Sequence, residues 1–258
     1  MSVVLFEVKN HIAYVTINRP EVLNCFNYET LSTLQKRVDE ISNRDDIRVV
    51  IFTGAGTKAF SAGADLKERK TLNDEQVKRN VKAIREVFNS IAQLPQPTIA
   101  AVNGHALGGG FEWLLACDFA ITAEHAKLGL TETSWAIIPG AGGTQRLPRL
   151  IGEMKAKEMI FTAKKLTAHE ALAEGIVLKV VPVDKVMTAS EELAQAMMKN
   201  GPIAVRQAKV AITRGMDTDL ATGLEIETEA YNVVIPTKDR LEALQAFSEK
   251  REPVFKGE

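Results

Sequence analysis

Shortages are the first guide to this chain of 258 residues. It has two cysteines, Cys25 and Cys117, both in apolar stretches. They offer neither a disulfide framework nor a zinc-ligand pattern, and they suit a reducing compartment. Four scattered histidines suggest no metal cluster. Excess charge is also missing: 32 Lys and Arg stand against 33 Asp and Glu, a net charge of -1. No strong field therefore favours nucleic acid or an anionic membrane. No apolar run approaches the roughly 18 residues that a membrane helix needs. The run Val3 to Phe6 lacks a basic leader and is too short for a signal peptide. A cytoplasmic protein without a membrane span is expected.

What remains is an ordinary globular composition, 45% hydrophobic and 25% charged. The length fits one large domain, or one domain with a smaller appendage. Apolar clusters over 3–8 and 12–18, around Asn10-His11, predict a β-hairpin. Helical spacing appears over 28–43 and 73–93, and buried strands are expected at 48–53, 98–102 and 118–122. Strands alternating with helices predict an α/β core with parallel pairing. After about residue 185 strand signals stop, and 186–199, 202–214, 217–232 and 237–250 all read as helices. The expected division is a core over 1–195 and a helical region over 196–258.

Three glycine loops invite misreading. Residues 54–59, GAGTKA, follow a strand in the G-x-G-x-x-A pattern of dinucleotide-binding proteins. That fingerprint needs a helix at the loop and an acidic residue at a strand end about 20 positions on. Here Asp74 has the right distance but opens a helix. The GAGG at 140–143 lacks the lysine of a phosphate-binding loop. The third loop, in HALGGGFEWLLAC at 105–117, places three glycines before an apolar helix that carries one glutamate, Glu112. A helix opening there leaves free N–H groups that an anionic oxygen can use. Close helix–strand packing explains the glycines equally well. SAGAD at 61–65 is a second loop of that kind.

No Lys or Arg occurs between Arg85 and Lys127, or between Lys127 and Arg146. Glu112 and Glu132 both lie in this cation-poor stretch. Buried carboxylates without cations are pushed up in pKa, and two sharing a cavity divide into an acid and a base. Glu124 and Asp118 are equally cation-poor, so composition alone does not choose the pair.

Motif order does choose. AGADLK at 62–67, NGHALGGGFE at 103–112, and Glu132 leading into IPGAGGTQRL at 138–147 together resemble the crotonase family, the enoyl-CoA hydratase/isomerase superfamily. The likeness covers essentially the whole chain, including TKDR at 237–240 and EKR at 249–251. It implies an α/β spiral of repeated ββα turns, with a C-terminal helical region used to form trimers or dimers of trimers. The implied ligand is an acyl-CoA thioester, with coenzyme A part of the substrate and no separate cofactor or metal. By that resemblance the N–H groups of Ala64 and Gly109 form an oxyanion hole, Glu112 and Glu132 hold the water, and Gly140 helps place it. Ala62, Leu66, Lys67, Tyr231 and Lys250 match substrate- and CoA-binding positions. Lys58, Lys67, Arg69 and Lys70 cluster near SAGAD, where they could meet CoA phosphates or form a solvated face.

The two glutamates, twenty residues apart, favour enoyl-CoA hydratase over isomerase, whose members usually keep one. The implied setting is fatty-acid or branched-chain acyl-CoA breakdown. The wording GADLKER and IPTKDRLEALQAF is similar to the methylglutaconyl-CoA hydratase branch, whose substrate carries a second carboxylate and should want a cation near the acyl end. RNA binding, also associated with that branch, needs a basic stripe. The first helix instead mixes Lys36, Arg37 and Arg44 with Glu29, Asp39, Glu40, Asp45 and Asp46. Trp113 is expected in the core. Trp135 is expected to narrow the acyl pocket and favour short chains. Cys25 is expected to pack rather than to touch the adenine pocket.

Overall fold

The computed structural model describes residues 2–258. The chain opens with strands β1 (Val4–Lys9) and β2 (Ile12–Ile17), then helix α1 (Tyr28–Ser42). Lys9 pairs with Ile12, and Asn10 and His11 both take left-handed backbone (φ 49° and 65°). That is the two-residue hairpin turn whose twist matches its strands. Strands β3 (Val49–Gly54) and β4 (Ala59–Ser61) lead to the one-turn helix α2 (Leu66–Arg69) and the long α3 (Asp74–Ala92). Strands β5 (Thr98–Val102) and β6 (His105–Leu107) with helix α4 (Gly109–Leu115) repeat that order. Strands β7 (Phe119–Ala123) and β8 (Lys127–Gly129) begin it again. Helices α5 (Gly143–Ile151) and α6 (Glu153–Phe161), strand β9 (Leu166–Thr167), helix α7 (Ala168–Ala173) and strand β10 (Lys179–Val181) follow. Helices α8 (Val186–Met198), α9 (Pro202–Gly215), α10 (Leu220–Val234) and α11 (Lys238–Glu249) close the chain.

Each ββα turn gives its first strand to one sheet and its second to another. The larger sheet runs β1-β2-β3-β5-β7-β10 and the smaller β4-β6-β8-β9. Pairing is parallel except at β1–β2 and β8–β9. Strands β3 and β5 are buried throughout because both faces of the larger sheet are covered. Val50, Phe52, Ala100 and Val102 face the main core. Their alternates Val49, Ile51, Ile99 and Ala101 face a second cluster, closed by Val186, Ala189 and Ala194 of α8. The expected domain boundary at 195/196 falls inside α8, a helix that belongs to the sheet's packing.

Helix starts follow local chemistry. Asn27 caps α1, and Asn73 with Gln76 forms a capping box on α3. Arg37 and Arg44 pair with Glu40 and Asp46, so much of the positive charge around α1 is neutralised locally. The helices α9 to α11 leave large apolar side chains in solvent, among them Ile212, Met216, Leu220 and Phe247. No helix among the described residues is long and apolar enough to cross a membrane.

The smaller sheet sets the position of the site. β4, β6 and β8 are parallel neighbours, so their carboxyl ends share one edge. From that edge leave the segments carrying Ala64, Gly109 and Glu132. The loop after β3 bends straight into β4 without opening a helix, and Asp74 begins α3, as the reading against a dinucleotide site requires.

Candidate active site

A cavity of about 810 Å³ lies at that edge, walled by Ala62, Ala64, Leu66, Gly108, Gly109, Glu112, Glu132, Trp135 and Gly140 among others. Two loops press together at its floor. A Cβ on Gly63, whose φ is +89°, would stand 2.8 Å from Gly109 N. A Cβ on Gly109 would stand 3.7 Å from Ala64 N. Gly63 permits this approach and Gly109 eases it, which sets the Ala64 and Gly109 amides side by side. Phe26 holds the first loop: its N–H donates to Gly63 O at 2.8 Å, and its carbonyl accepts from Asp65 N at 2.9 Å. Asp65 is also ion-paired with Arg19 at 3.0 Å, with both side chains largely buried. Neither the Ala64 nor the Gly109 N–H has a protein acceptor among the described residues. Two convergent, unsatisfied amides on a cavity wall are suited to an oxygen that gains negative charge.

The close-packing reading of the triple glycine holds as well. A Cβ on Gly110 would fall 1.9 Å from Ser61 O at the end of β4, so this glycine serves helix–strand contact while Gly109 faces the cavity.

Glu112 points from the first turn of α4 and is 3% exposed. Its Oε1 accepts from Ala141 N at 2.7 Å and Gly143 N at 2.9 Å. Burial raises its pKa, and these two amides oppose the rise by favouring the carboxylate. The GAGG loop that lacks a phosphate-binding lysine is thus a nest for a carboxylate of the chain itself. Glu132 opens a short 3-10 turn, Glu132–Trp135, and its buried Oε2 has no hydrogen-bond partner among the described residues. Burial first, and the Glu112 charge second, push its pKa up to about 7. The two carboxyls therefore titrate as an unequal pair, Glu132 keeping its proton more readily.

Their surroundings are not cation-free. Arg69 and Arg146, distant in sequence, bring positive charge toward Glu112, and Arg69 also toward Glu132. Arg146 is a brace: Nη1 donates to Ala141 O and Nη2 to Asn89 Oδ1. The cation-poor stretch of sequence is corrected here by folding, which brings Arg69 of α2 to the cavity wall and holds Arg146 of α5 on Ala141 O and Asn89. Arg69 stands on the cavity wall with Ala62, Leu66 and Trp135. Its partners in the lysine cluster, Lys58, Lys67 and Lys70, do not line it. Tyr231 and Lys250 lie exposed on the C-terminal helices and are not part of this wall either. Trp113 is fully buried, stacked on Phe60 at 4.1 Å and edge-on to Phe26 and Phe52. Cys25 is absent from the wall, and burial raises its thiol to about 11. No group of three or more His, Cys, Asp or Glu among the described residues could hold a metal ion.

The roles of Ala141, Gly143 and Arg69 were not legible as such. Only the small residues ahead of a helix at 140–143 hint at an anion nest.

The family model described as enoyl-CoA hydratase/isomerase matches residues 7–258. The chain belongs to the enoyl-CoA hydratase/isomerase family. Within the family, it is similar to the crystal structure of an enoyl-CoA hydratase from Bacillus anthracis, with a TM-score of 0.97 and 53% identity over 99% of this chain and 100% of that one. It is 47% identical to human mitochondrial methylglutaconyl-CoA hydratase over 98% of this chain and 76% of the human one. It is 44% identical to the short-chain-enoyl-CoA hydratase of Clostridium acetobutylicum over 96% of this chain and 95% of that one. The crotonase-type α/β fold expected from the motifs is therefore the fold of this family member.

Proposed function

We propose that this chain hydrates 2-enoyl-CoA thioesters, adding water across the C2=C3 bond. The observation that carries the reading is the placement of an unequal carboxyl pair beside two free amides in one cavity. Water oxygen bonds to C3 while the C2=C3 π electrons move toward the thioester, whose carbonyl oxygen gains charge. The Ala64 and Gly109 N–H groups stabilise that oxygen; losing one oxyanion-hole donor costs about 2.7–4 kcal/mol where it has been measured in an acyl-transfer enzyme. Ionised Glu112 accepts a proton from the water. Protonated Glu132 gives its proton to C2, completing the 3-hydroxyacyl product. The pair ends with its protonation reversed and resets by proton exchange. Gly140, on the same wall and with no acceptor for its N–H among the described residues, supports a role in holding the water.

An isomerase would move a proton between C2 and C4 with one carboxyl. Two carboxyls of unequal proton affinity favour the hydratase. Trp135, on the wall three residues past Glu132, supports a preference for short acyl chains. The exposed apolar side chains of α9 to α11 support assembly into trimers or pairs of trimers, in which Tyr231 and Lys250 would approach CoA in a neighbouring subunit's site.

The test is a substrate panel of crotonyl-CoA, longer enoyl-CoAs and 3-methylglutaconyl-CoA, followed by loss of enoyl absorbance. Hydration of crotonyl-CoA with efficiency falling toward the C10 chain is expected. Double-bond migration without hydration would overturn the reading.

A further inference from the structure

Arg146 is set in the first turn of α5, the end where a helix favours negative charge over positive. It is half-buried, and its two terminal nitrogens go to neutral acceptors, Nη1 to Ala141 O at 3.0 Å and Nη2 to Asn89 Oδ1 at 2.7 Å. A cation set against its own helix and partly out of water is costly, so its position needs a use elsewhere.

That use lies in the loop before the helix. Ala141 is gripped on both sides: its carbonyl accepts from Arg146, and its N–H donates to Oε1 of Glu112 at 2.7 Å. Gly143, the first residue of α5, gives Glu112 its second amide at 2.9 Å. Between them Gly142 has φ +110°, and a Cβ there would collide with Nη1 of Arg146, so the loop is shaped around the guanidinium. Asn89 lies on α3, the helix whose Val77, Val81 and Ile84 line the cavity. A Cβ on Gly140 would stand 2.7 Å from Cγ1 of Val81, so the loop rests on α3 at one end while Arg146 ties it there at the other. One planar fork spans two acceptors on two elements, which a single ammonium does not reproduce.

The charges that bear on Glu112 come from several elements. Arg146 and Arg69 of α2 favour its ionised form, while the Glu112 and Glu132 charges repel. Arg85 of α3 stands on the same wall, and Cys117, just past α4, bears on Arg146.

We propose that Arg146 is a positioning residue for the general base: by holding the loop 140–143 against α3 it keeps the Ala141 and Gly143 N–H groups on Glu112, and so keeps that side chain an aimed carboxylate. The inference rests on the reading of Glu112 as the base of a hydration. Arg146 does not line the cavity itself and adds no step to the reaction.

The experiment reads Glu112 directly. Protein isotope-labelled at glutamate Cδ is titrated by NMR without substrate, and the Glu112 signal is the one lost in Glu112→Gln. Arg146→Met removes a cation and loosens an amide that both favour the carboxylate. It is expected to raise the Glu112 midpoint by about one pH unit, the worth of one charge-assisted hydrogen bond, and to move the acidic limb of kcat/KM for crotonyl-CoA up with it. Arg146→Lys keeps the charge but spans only one acceptor, and should fall between. An unmoved midpoint in folded Arg146→Met overturns the proposal even if the melting temperature drops, because Arg146 then serves the fold alone. A lysine variant that matches wild type also overturns it, since charge without the fork would suffice. If Arg146→Met does not fold, Asn89→Ala decides: it alters only an exposed residue of α3, and a smaller upward shift supports the proposal while none overturns it. A midpoint that depends on Arg146 in a protein that hydrates no enoyl-CoA would retain the positioning and remove the hydratase.

Discussion

Glu112 and Glu132 share one cavity but are held differently. Two backbone amides grip Oε1 of Glu112, while Oε2 of Glu132 is buried without a partner. The amides favour charge on the first. Burial and the neighbouring charge favour the proton on the second. An acid and a base thus arise from the same side-chain type, through the amides that hold one and the burial and charge that surround the other.

The rate should therefore have two limbs against pH. Below the acidic limb Glu112 takes up a proton and the base is lost. As pH rises through about 7, Glu132 loses its proton and the acid is lost. A plot of kcat/KM for crotonyl-CoA should be bell-shaped, with apparent values that belong to the pair. In Glu132→Gln the alkaline limb near 7 should vanish from the residual activity. A wild-type profile flat from about pH 6 to 9 would contradict this ordering.

Stability should follow the same proton. Glu132 binds its proton more tightly folded than unfolded, so the stabilisation is complete below the unfolded value of about 4.3 and is lost as pH rises through about 7. Glu132→Gln lacks this loss. Its melting temperature relative to wild type should be higher at pH 8 than at pH 5, by up to roughly 3 kcal/mol of stability at 1.36 kcal/mol per pKa unit. An equal difference at the two pH values would show that Glu132 is not desolvated as described.

Ala64→Pro removes one amide donor and no protein hydrogen bond of that amide. The expected loss is about 10²–10³ in kcat. Circular dichroism and thermal melting would check that the fold persists. A folded variant of nearly full activity would exclude the Ala64 N–H from the reaction.

Much of this was visible in the chain as written. β3 and β5 announce themselves because both faces are buried, and α1 and α3 because asparagine caps precede a regular apolar stripe. The four closing helices were legible because strand signals stop after about residue 185. The strands β4, β6, β8 and β9 were not, being two or three residues long with no room for a period. Yet β4, β6 and β8 align the site. Glu112, Glu132, Ala64 and Gly109 could be named from motif order, and the fold brings them to one cavity. Arg69 could not be placed there from sequence, since its place on the wall depends on how α2 sits in the folded chain, with its guanidinium held by Asn80 of α3. Trp113 was legible as core, but its stack on Phe60 joins residues fifty-three positions apart.

The most direct test is the hydration of crotonyl-CoA by Glu112→Gln, with wild type and Glu132→Gln alongside. Glutamine at 112 keeps an Oε1 acceptor for Ala141 and Gly143, so the loop should stay in place while the base is lost. A fall of about 10²–10⁴ in kcat for each single variant, with thermal melting that still reports a folded protein, is predicted. Either variant retaining activity within about tenfold of wild type would contradict the two-carboxylate account.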